Sequence, residues 1–199
     1  MIRKDALHFL STLPRLFKTT DLQKLHGSPS IFLNRAIKKG MVKRIVRGAY
    51  LNLLKCEMSG RWPDIAEIAC HIRSPSYVSA EWAMNYRGLL LQVPYACTAI
   101  TLVPGRRKII PYGQLYIEYS LIKKDLFYGF RYEQELNASI AIPEKALLDT
   151  MYLRRQVPCE DELELDVLNQ EIFQEMSLKY PKSVQSKVAC LIQRNPAID

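Results

Sequence analysis

The chain has 199 residues, 48% of them hydrophobic, and a net charge of +8 at neutral pH. This composition is ordinary for a globular protein, and the length allows one large core or two modest ones. Its apolar stretches are too short to cross a bilayer, and its first five residues are charged rather than signal-like. We therefore expect a cytoplasmic protein that makes no membrane contact.

The positive charge is confined to the N-terminal third of the chain. Residues 1–60 contain twelve Lys and Arg against three Asp and Glu, whereas residues 61–199 contain sixteen against seventeen. A one-sided positive field suits a polyanion such as nucleic acid, although a charged surface also serves solubility alone. The contrast predicts a DNA-binding domain at 1–54 and a second domain at 62–199, joined by a junction around 55–63.

The cysteines and histidines give no sign of a metal or cofactor. Five cysteines are odd in number and widely spaced, no Cys-x-x-Cys occurs, and none of the three histidines has a suitably spaced partner. This pattern is typical of reduced, mostly buried thiols rather than of disulfides or a zinc site. We expect no metal and no cofactor.

The first 51 residues have the pattern of a winged helix-turn-helix. An amphipathic helix ends before Pro14, and a short second helix lies between Thr19 and Gly27. A third helix follows over residues 29–40. Residues 41–51 predict two strands that turn at Arg47-Gly48 and form a basic wing.

The third helix and the wing carry the candidate DNA contacts. Asn34 pairs well with adenine and Arg35 with guanine, whereas the neighbouring lysines and the wing suit phosphates and the minor groove. For Asn34 a solvent-facing polar position is an equal alternative, and for the whole surface RNA binding or a protein contact is the other reading. The candidate residues are Ser30, Asn34, Arg35, Lys38, Lys39, Lys43, Arg44 and Arg47.

Residues 62–155 predict a mixed α+β core with a small sheet. Helices are expected over 65–72, over 79–86 and from Pro143, with strands over 98–103, 114–119 and 139–142. The fold class is therefore α+β, an N-terminal winged helix-turn-helix followed by a mixed α+β C-terminal domain with terminal helices.

The tail from residue 156 to 199 differs from this core. Residues 156–178 contain seven acids and no Lys or Arg, which indicates an acidic helical segment, and a short helix follows over 184–192. The segment packs on the second domain, screens the basic one or contacts a basic partner.

No catalytic signature appears in the second domain. Glu144 suits the N-terminus of a helix dipole, and Lys145 with Asp149 forms an ordinary i,i+4 pair. A glycine-rich phosphate loop, a Gly-x-Ser-x-Gly sequence and a cluster of metal ligands are all absent from the sequence, so we expect no enzyme. A second basic group, Arg106, Arg107 and Lys108, suits either an auxiliary DNA contact or a charged hairpin tip.

Several segments occur together in one order: Phe17–Leu22, Lys43–Tyr50, Ser74–Ala80, Gly88-Leu89, Leu126–Phe130 and Ile142–Asp149. Together they resemble the AbiEi-type antitoxins of bacterial abortive-infection systems, over about residues 1 to 153. The resemblance implies a winged-helix domain that represses its own operon by binding inverted repeats in promoter DNA. It also implies a C-terminal domain that counteracts a co-encoded nucleotidyltransferase-like toxin, in a type IV system without a stable complex.

By position, the resemblance assigns DNA contacts to the third helix and wing, and an antitoxin-domain motif to Pro143, Glu144, Lys145 and Asp149. Two other classes of function stay open. One is a winged-helix transcription factor whose second domain senses a ligand or a protein, without a toxin partner. The other is an enzyme that modifies nucleic acid or nucleotides.

Overall fold

A computed structural model describes residues 4–22, 28–105, 109–154 and 160–195. Over these residues the fold is mixed α+β, with two separate β-sheets. Backbone contacts divide the chain into two compact units, Met1–Asp64 and Ile65–Asp199, here called the N-unit and the C-unit. The extents of the two predicted domains stay predictions.

The N-unit contains the predicted first helix, third helix and hairpin. The predicted second helix is described only in part: Thr19–Leu22 forms a 3-10 turn, and positions 23–27 lie outside the described residues. The elements in chain order are α1 (Lys4–Thr12), β1 (Leu16–Lys18), α2 (Pro29–Lys38), β2 (Val42–Val46), β3 (Ala49–Asn52) and α3 (Leu53–Ser59).

A three-stranded antiparallel sheet in the order β1-β3-β2 supports the helices of the N-unit. All four residues of β3, the central strand, are buried. The ring of Phe17 on β1 stacks on Tyr50 of β3 with centroids 5.5 Å apart, and Leu10 of α1 and Leu33 of α2 belong to the same core. These contacts join strand β1, which the sequence did not predict, to both helices.

Helix α3 overlaps the predicted junction over residues 55–63. The side chain of Asn52 accepts a hydrogen bond from the Lys55 amide at 3.1 Å and so caps the helix. Gly60 ends it in the left-handed conformation, with φ of +64°. Both ends of α3 therefore have ordinary helix signals.

The C-unit contains a mixed sheet, six of whose strands lie in the described part of the chain, in the order β6-β7-β5-β4-β9-β8. Neighbours β5 and β7, and also β4 and β9, are parallel, and the other pairs are antiparallel. The elements are α4 (Ile65–Ile72), β4 (Ser76–Ser79), α5 (Ala80–Tyr86), β5 (Ala96–Thr101), β6 (Ile109–Tyr112), β7 (Leu115–Leu121), β8 (Phe130–Glu133), β9 (Ala138–Ala141), α6 (Pro143–Arg154), α7 (Gln170–Ser177) and α8 (Lys182–Arg194).

The predicted helices and strands of this half are confirmed, and β4, β6 and β8 are additional. Each additional strand has only four residues, too few for an alternating pattern to stand out. Among the described residues, no helix is both long enough and apolar enough to span a membrane.

The acidic tail packs on the C-unit and is not one continuous helix. From residue 160 it forms two 3-10 turns before α7. Between these turns Leu163 forms a β-bridge with Leu90, and Phe173 of α7 is fully buried. Four of its apolar side chains, Leu163, Leu168, Phe173 and Met176, therefore belong to the core of this unit. Most of its acids are exposed.

Candidate nucleic-acid interface

All eight residues predicted to contact DNA are exposed. They lie on α2, just after it, and on the hairpin formed by β2 and β3. The opposite side of α2 is buried, with Leu33 at 4% exposure and Ala36 at 0%. Helix α2 therefore presents its polar residues outward because its apolar residues face the core.

The start of α2 is set by local chemistry. Ser28 is the N-cap residue and Pro29 follows at the first helical position, where a missing N–H costs no hydrogen bond. The Ser28 carbonyl accepts the Phe32 amide at 3.2 Å, and the hydroxyls of Ser28 and Ser30 hydrogen-bond at 2.8 Å. The first turn of the helix, which carries Ser30, is thereby fixed.

The end of α2 joins the helix directly to the hairpin. Gly40 has φ of +67°, a conformation in which a side chain would be strained. Its amide donates to the Ile37 carbonyl at 2.9 Å, and the next amide, that of Met41, donates to Ala36 at 3.0 Å. This turn places Lys38 and Lys39 close in sequence and space to the start of β2.

Strand β2 lies at the edge of its sheet and carries a β-bulge. Lys43 pairs with Leu51 and Arg44 with Tyr50, but the next pair is Val46 with Ala49. The bulge leaves Ile45 unpaired and re-aims the strand before the turn. Lys43 and Arg44 are adjacent and both exposed, which an edge strand allows.

Five basic residues of this surface form no ion pair in the part of the chain that the structure describes. The sequence has no Asp or Glu from Ser28 to Asn52, and the carboxylate of Asp21, just before it, accepts the Lys18 amide at 2.6 Å. The five residues are Arg35, Lys38, Lys39, Arg44 and Arg47. The surface therefore presents its positive charge to solvent, where it attracts an anion.

The other predicted basic group, Arg106, Arg107 and Lys108, lies outside the described residues.

The predicted antitoxin-domain motif lies on α6, which Pro143 begins. Glu144, at 5% exposure, accepts the amide of Asn169 at 2.9 Å. Asn169 is the N-cap of α7, so Glu144 connects α6 to the tail rather than to solvent.

Lys145 and Asp149 form the i,i+4 pair that their spacing predicts, and the pair lies in the interior of the C-unit. Both side chains are fully buried, with Nζ 2.5 Å from Oδ1. The same Oδ1 accepts the hydroxyl of Tyr180, and Oδ2 accepts the hydroxyls of Tyr77 and Ser79, at distances of 2.7 to 3.0 Å. We call these five residues the Asp149 network.

Burial lowers the pKa of Lys145, and the charge of Asp149 offsets part of that effect. The ammonium also lies 5.1 to 5.6 Å from the ring centroids of Tyr77, Tyr128 and Tyr180, within cation–π range. Burial and the carboxylate of Asp149 raise the pKa of Tyr77 and of Tyr180. The network thus joins β4, α6 and the tail through buried side chains.

The described cysteines and histidines give no metal site and no disulfide. In the part of the chain that the structure describes, no group of three His, Cys, Asp or Glu is arranged to hold a metal. None of the four cysteines described there is in a disulfide; Cys56 and Cys97 are buried, Cys70 is half-buried and Cys190 is exposed.

Three comparisons place the chain among known proteins only by its fold. The sequence matches no protein-family model and no curated protein. The crystal structure of the RV2827C protein from Mycobacterium tuberculosis is similar, with a TM-score of 0.64 at 12% sequence identity. The match covers 98% of this chain and 77% of that one, and at this identity it shows a shared fold and nothing of function.

Proposed function

We propose that the N-unit is a winged helix-turn-helix that binds double-stranded DNA, with α2 as recognition helix and the β2–β3 hairpin as wing. In this proposal the protein is a cytoplasmic transcriptional autorepressor and an antitoxin similar to the AbiEi type. It binds inverted repeats in its own promoter, and the C-unit counteracts a co-encoded nucleotidyltransferase-like toxin without a stable complex.

One observation supports the proposal that the N-unit binds DNA. A single exposed surface, built from α2 and the hairpin, combines base-reading side chains with basic ones and has no acid between Ser28 and Asn52. Proteins that read DNA need both kinds of side chain, because phosphate contacts give affinity and register while base edges give sequence preference. A surface that served solubility alone would not need the polar row on α2 beside the charge.

The roles divide along the surface. Asn34 and Arg35, on the second turn of α2, read base edges in the major groove. Lys38, Lys39, Lys43, Arg44 and Arg47 neutralise phosphates, with the wing reaching the backbone or the minor groove. One protomer would then cover one half-site of an inverted repeat.

The test is fluorescence anisotropy with the full chain, its own upstream DNA and a shuffled duplex, at low and near-physiological salt. We expect a preference of roughly a thousandfold or more that survives at higher salt. Equal affinity for both duplexes, erased by salt, would contradict specific DNA recognition.

Variants separate the two roles. Arg44→Ala with Arg47→Ala should weaken binding to both duplexes and reduce the magnitude of the salt slope by about 2, whereas Asn34→Ala or Arg35→Ala should reduce the preference by roughly 1 to 3 kcal/mol. Lys123→Ala with Lys124→Ala removes the same charge from exposed positions of the C-unit and is the matched control. Equal effects of all variants would contradict this division.

The antitoxin part has its own test. Expression of the neighbouring gene should stop growth, and co-expression of this chain should restore it. The Arg44→Ala, Arg47→Ala variant should still restore growth, since the proposal assigns toxin counteraction to the C-unit. DNA binding without rescue would instead favour a transcription factor that has no toxin partner.

A further inference from the structure

An isoleucine lies in the middle of the polar surface of α2. Ile31 is 53% exposed, although the helix buries its other apolar residues wholly or partly. Single exposed apolar residues are common on protein surfaces, so exposure alone assigns no role. The evidence for a role is its position among the candidate DNA contacts.

Successive residues of an α-helix are rotated by about 100°. Arg35 is therefore displaced by about 40° from Ile31 on one side, and Lys38 by about 20° and Asn34 by about 60° on the other. The buried Leu33 and Ala36 lie about 140° to 160° away. Ile31 is thus at the centre of the exposed arc, with a base-reading candidate on each side.

Ile31 also lies in the first turn of α2, as its third residue. Recognition helices meet base edges through their N-terminal residues. In the major groove the apolar group on a base edge is the C5-methyl of thymine. An isoleucine cannot hydrogen-bond there, but its methyl groups can exclude water from that methyl.

We propose that Ile31 is a specificity-determining residue that packs on a thymine methyl in each half-site, beside the bases read by Asn34 and Arg35. This inference rests on the proposed function. The contact gives a preference for thymine at one position of each half-site, over cytosine and over any other base that lacks the methyl group. A contact with another protein through Ile31 would give no such preference.

The experiment uses the full chain and a duplex selected by it from a random DNA library. Each thymine is replaced in turn by deoxyuridine, which pairs identically and lacks only the methyl group. For the unmodified chain we expect one position per half-site at which affinity falls about fourfold, the ~0.8 kcal/mol of one buried methyl converted at 1.4 kcal/mol per tenfold.

With Ile31→Ala, binding to the thymine duplex should weaken by at least that factor, and replacement by deoxyuridine at the same position should have no further effect. Ile31→Val, which keeps a branched apolar side chain, should retain part of the difference. Leu7→Ala removes apolar surface from an exposed position of α1 and should leave both affinities unchanged.

The outcomes separate the two claims. If the unmodified chain selects no sequence, the proposed DNA recognition is wrong and this inference with it. If it selects a sequence but no single deoxyuridine lowers affinity, or if Ile31→Ala leaves the deoxyuridine effect intact, the inference alone is overturned. Loss of the effect in Ile31→Ala, with retention in Leu7→Ala, supports it.

Discussion

Replacing Asp149 by asparagine is the most informative perturbation of the C-unit. The carboxylate accepts hydrogen bonds from four donors, Lys145, Tyr180, Tyr77 and Ser79. Asparagine keeps the size, but it removes the negative charge and turns one oxygen into a donor that faces two other donors. The buried ammonium of Lys145 is left without a counter-charge.

Removing one partner of a buried ion pair costs about 3 to 5 kcal/mol. The change Lys145→Met should cost less, about 1.5 to 3 kcal/mol, the range for one hydrogen bond to a charged group. The reason is that Asp149 would keep three neutral donors. We therefore expect Asp149→Asn to be the more destabilising, and the double variant to be less destabilised than the sum of the two.

The asparagine variant should also have a distinct pH dependence. Without the charge of Asp149, burial lowers the pKa of Lys145 further. The folded variant should therefore release a proton that the unfolded chain keeps up to about pH 10.4. Between the lowered pKa of Lys145 and about pH 10.4, the unfolded state then binds more protons than the folded state. The stability of the variant therefore rises with pH over this range. The variant should regain part of its lost stability between about pH 7 and pH 9, more than the unmodified chain gains.

Urea unfolding, followed by circular dichroism at several pH values, measures these differences. The control is Asp166→Asn, the same chemical change at an exposed position of the tail, which should have little effect. A loss below about 1 kcal/mol for Asp149→Asn, or a variant that becomes less stable as pH rises from 7 to 9, would refute a buried charged pair.

Three further changes test other parts of the fold. Asn52→Ala should lower the free energy of unfolding in urea by about 2 to 4 kcal/mol. The reason is that the fully buried amide both caps α3 and donates to the Leu10 carbonyl at 2.8 Å. A loss below about 1 kcal/mol would contradict this prediction. Phe173→Ala should lower the free energy of unfolding by about 3 to 5 kcal/mol and speed proteolysis of the tail. Unchanged proteolysis would indicate that α7 is held mainly by polar contacts. The pKa values of Tyr77 and Tyr180 are raised in the folded state, so the unfolded chain loses those protons first. Stability should therefore fall above about pH 10. Tyrosinate absorbance of these two residues that rises well before unfolding would contradict this prediction.

Local signals in the sequence predicted the N-unit elements well. Pro29 after a serine, and Gly40 after the last apolar position, correctly bound α2. Gly48 correctly marks the hairpin turn, with φ of +90°. Each of these signals depends on backbone geometry within a few residues, so tertiary structure does not override it.

Features that depend on distant partners could not be predicted. The spacing of Lys145 and Asp149 indicates a pair, but its complete burial depends on Tyr77, which is 72 residues from Asp149, and on Tyr180. Strand β1 has three residues and exists because β3 pairs with it. The exposure of Ile31 could not be predicted either, because an apolar residue on an amphipathic helix normally lies in the core.

The segments that resemble AbiEi-type antitoxins have a structural consequence for the proposed toxin counteraction. Residues 74–80 supply Tyr77 and Ser79, and residues 142–149 supply Lys145 and Asp149, so two of those segments meet in one network. Because Lys145 and Asp149 are fully buried, substitutions there would affect the proposed toxin rescue only through folding of the C-unit. Exposed acids of α7, such as Glu171 and Glu175, are therefore the better positions at which to look for a direct effect on the toxin, since their loss leaves the network intact.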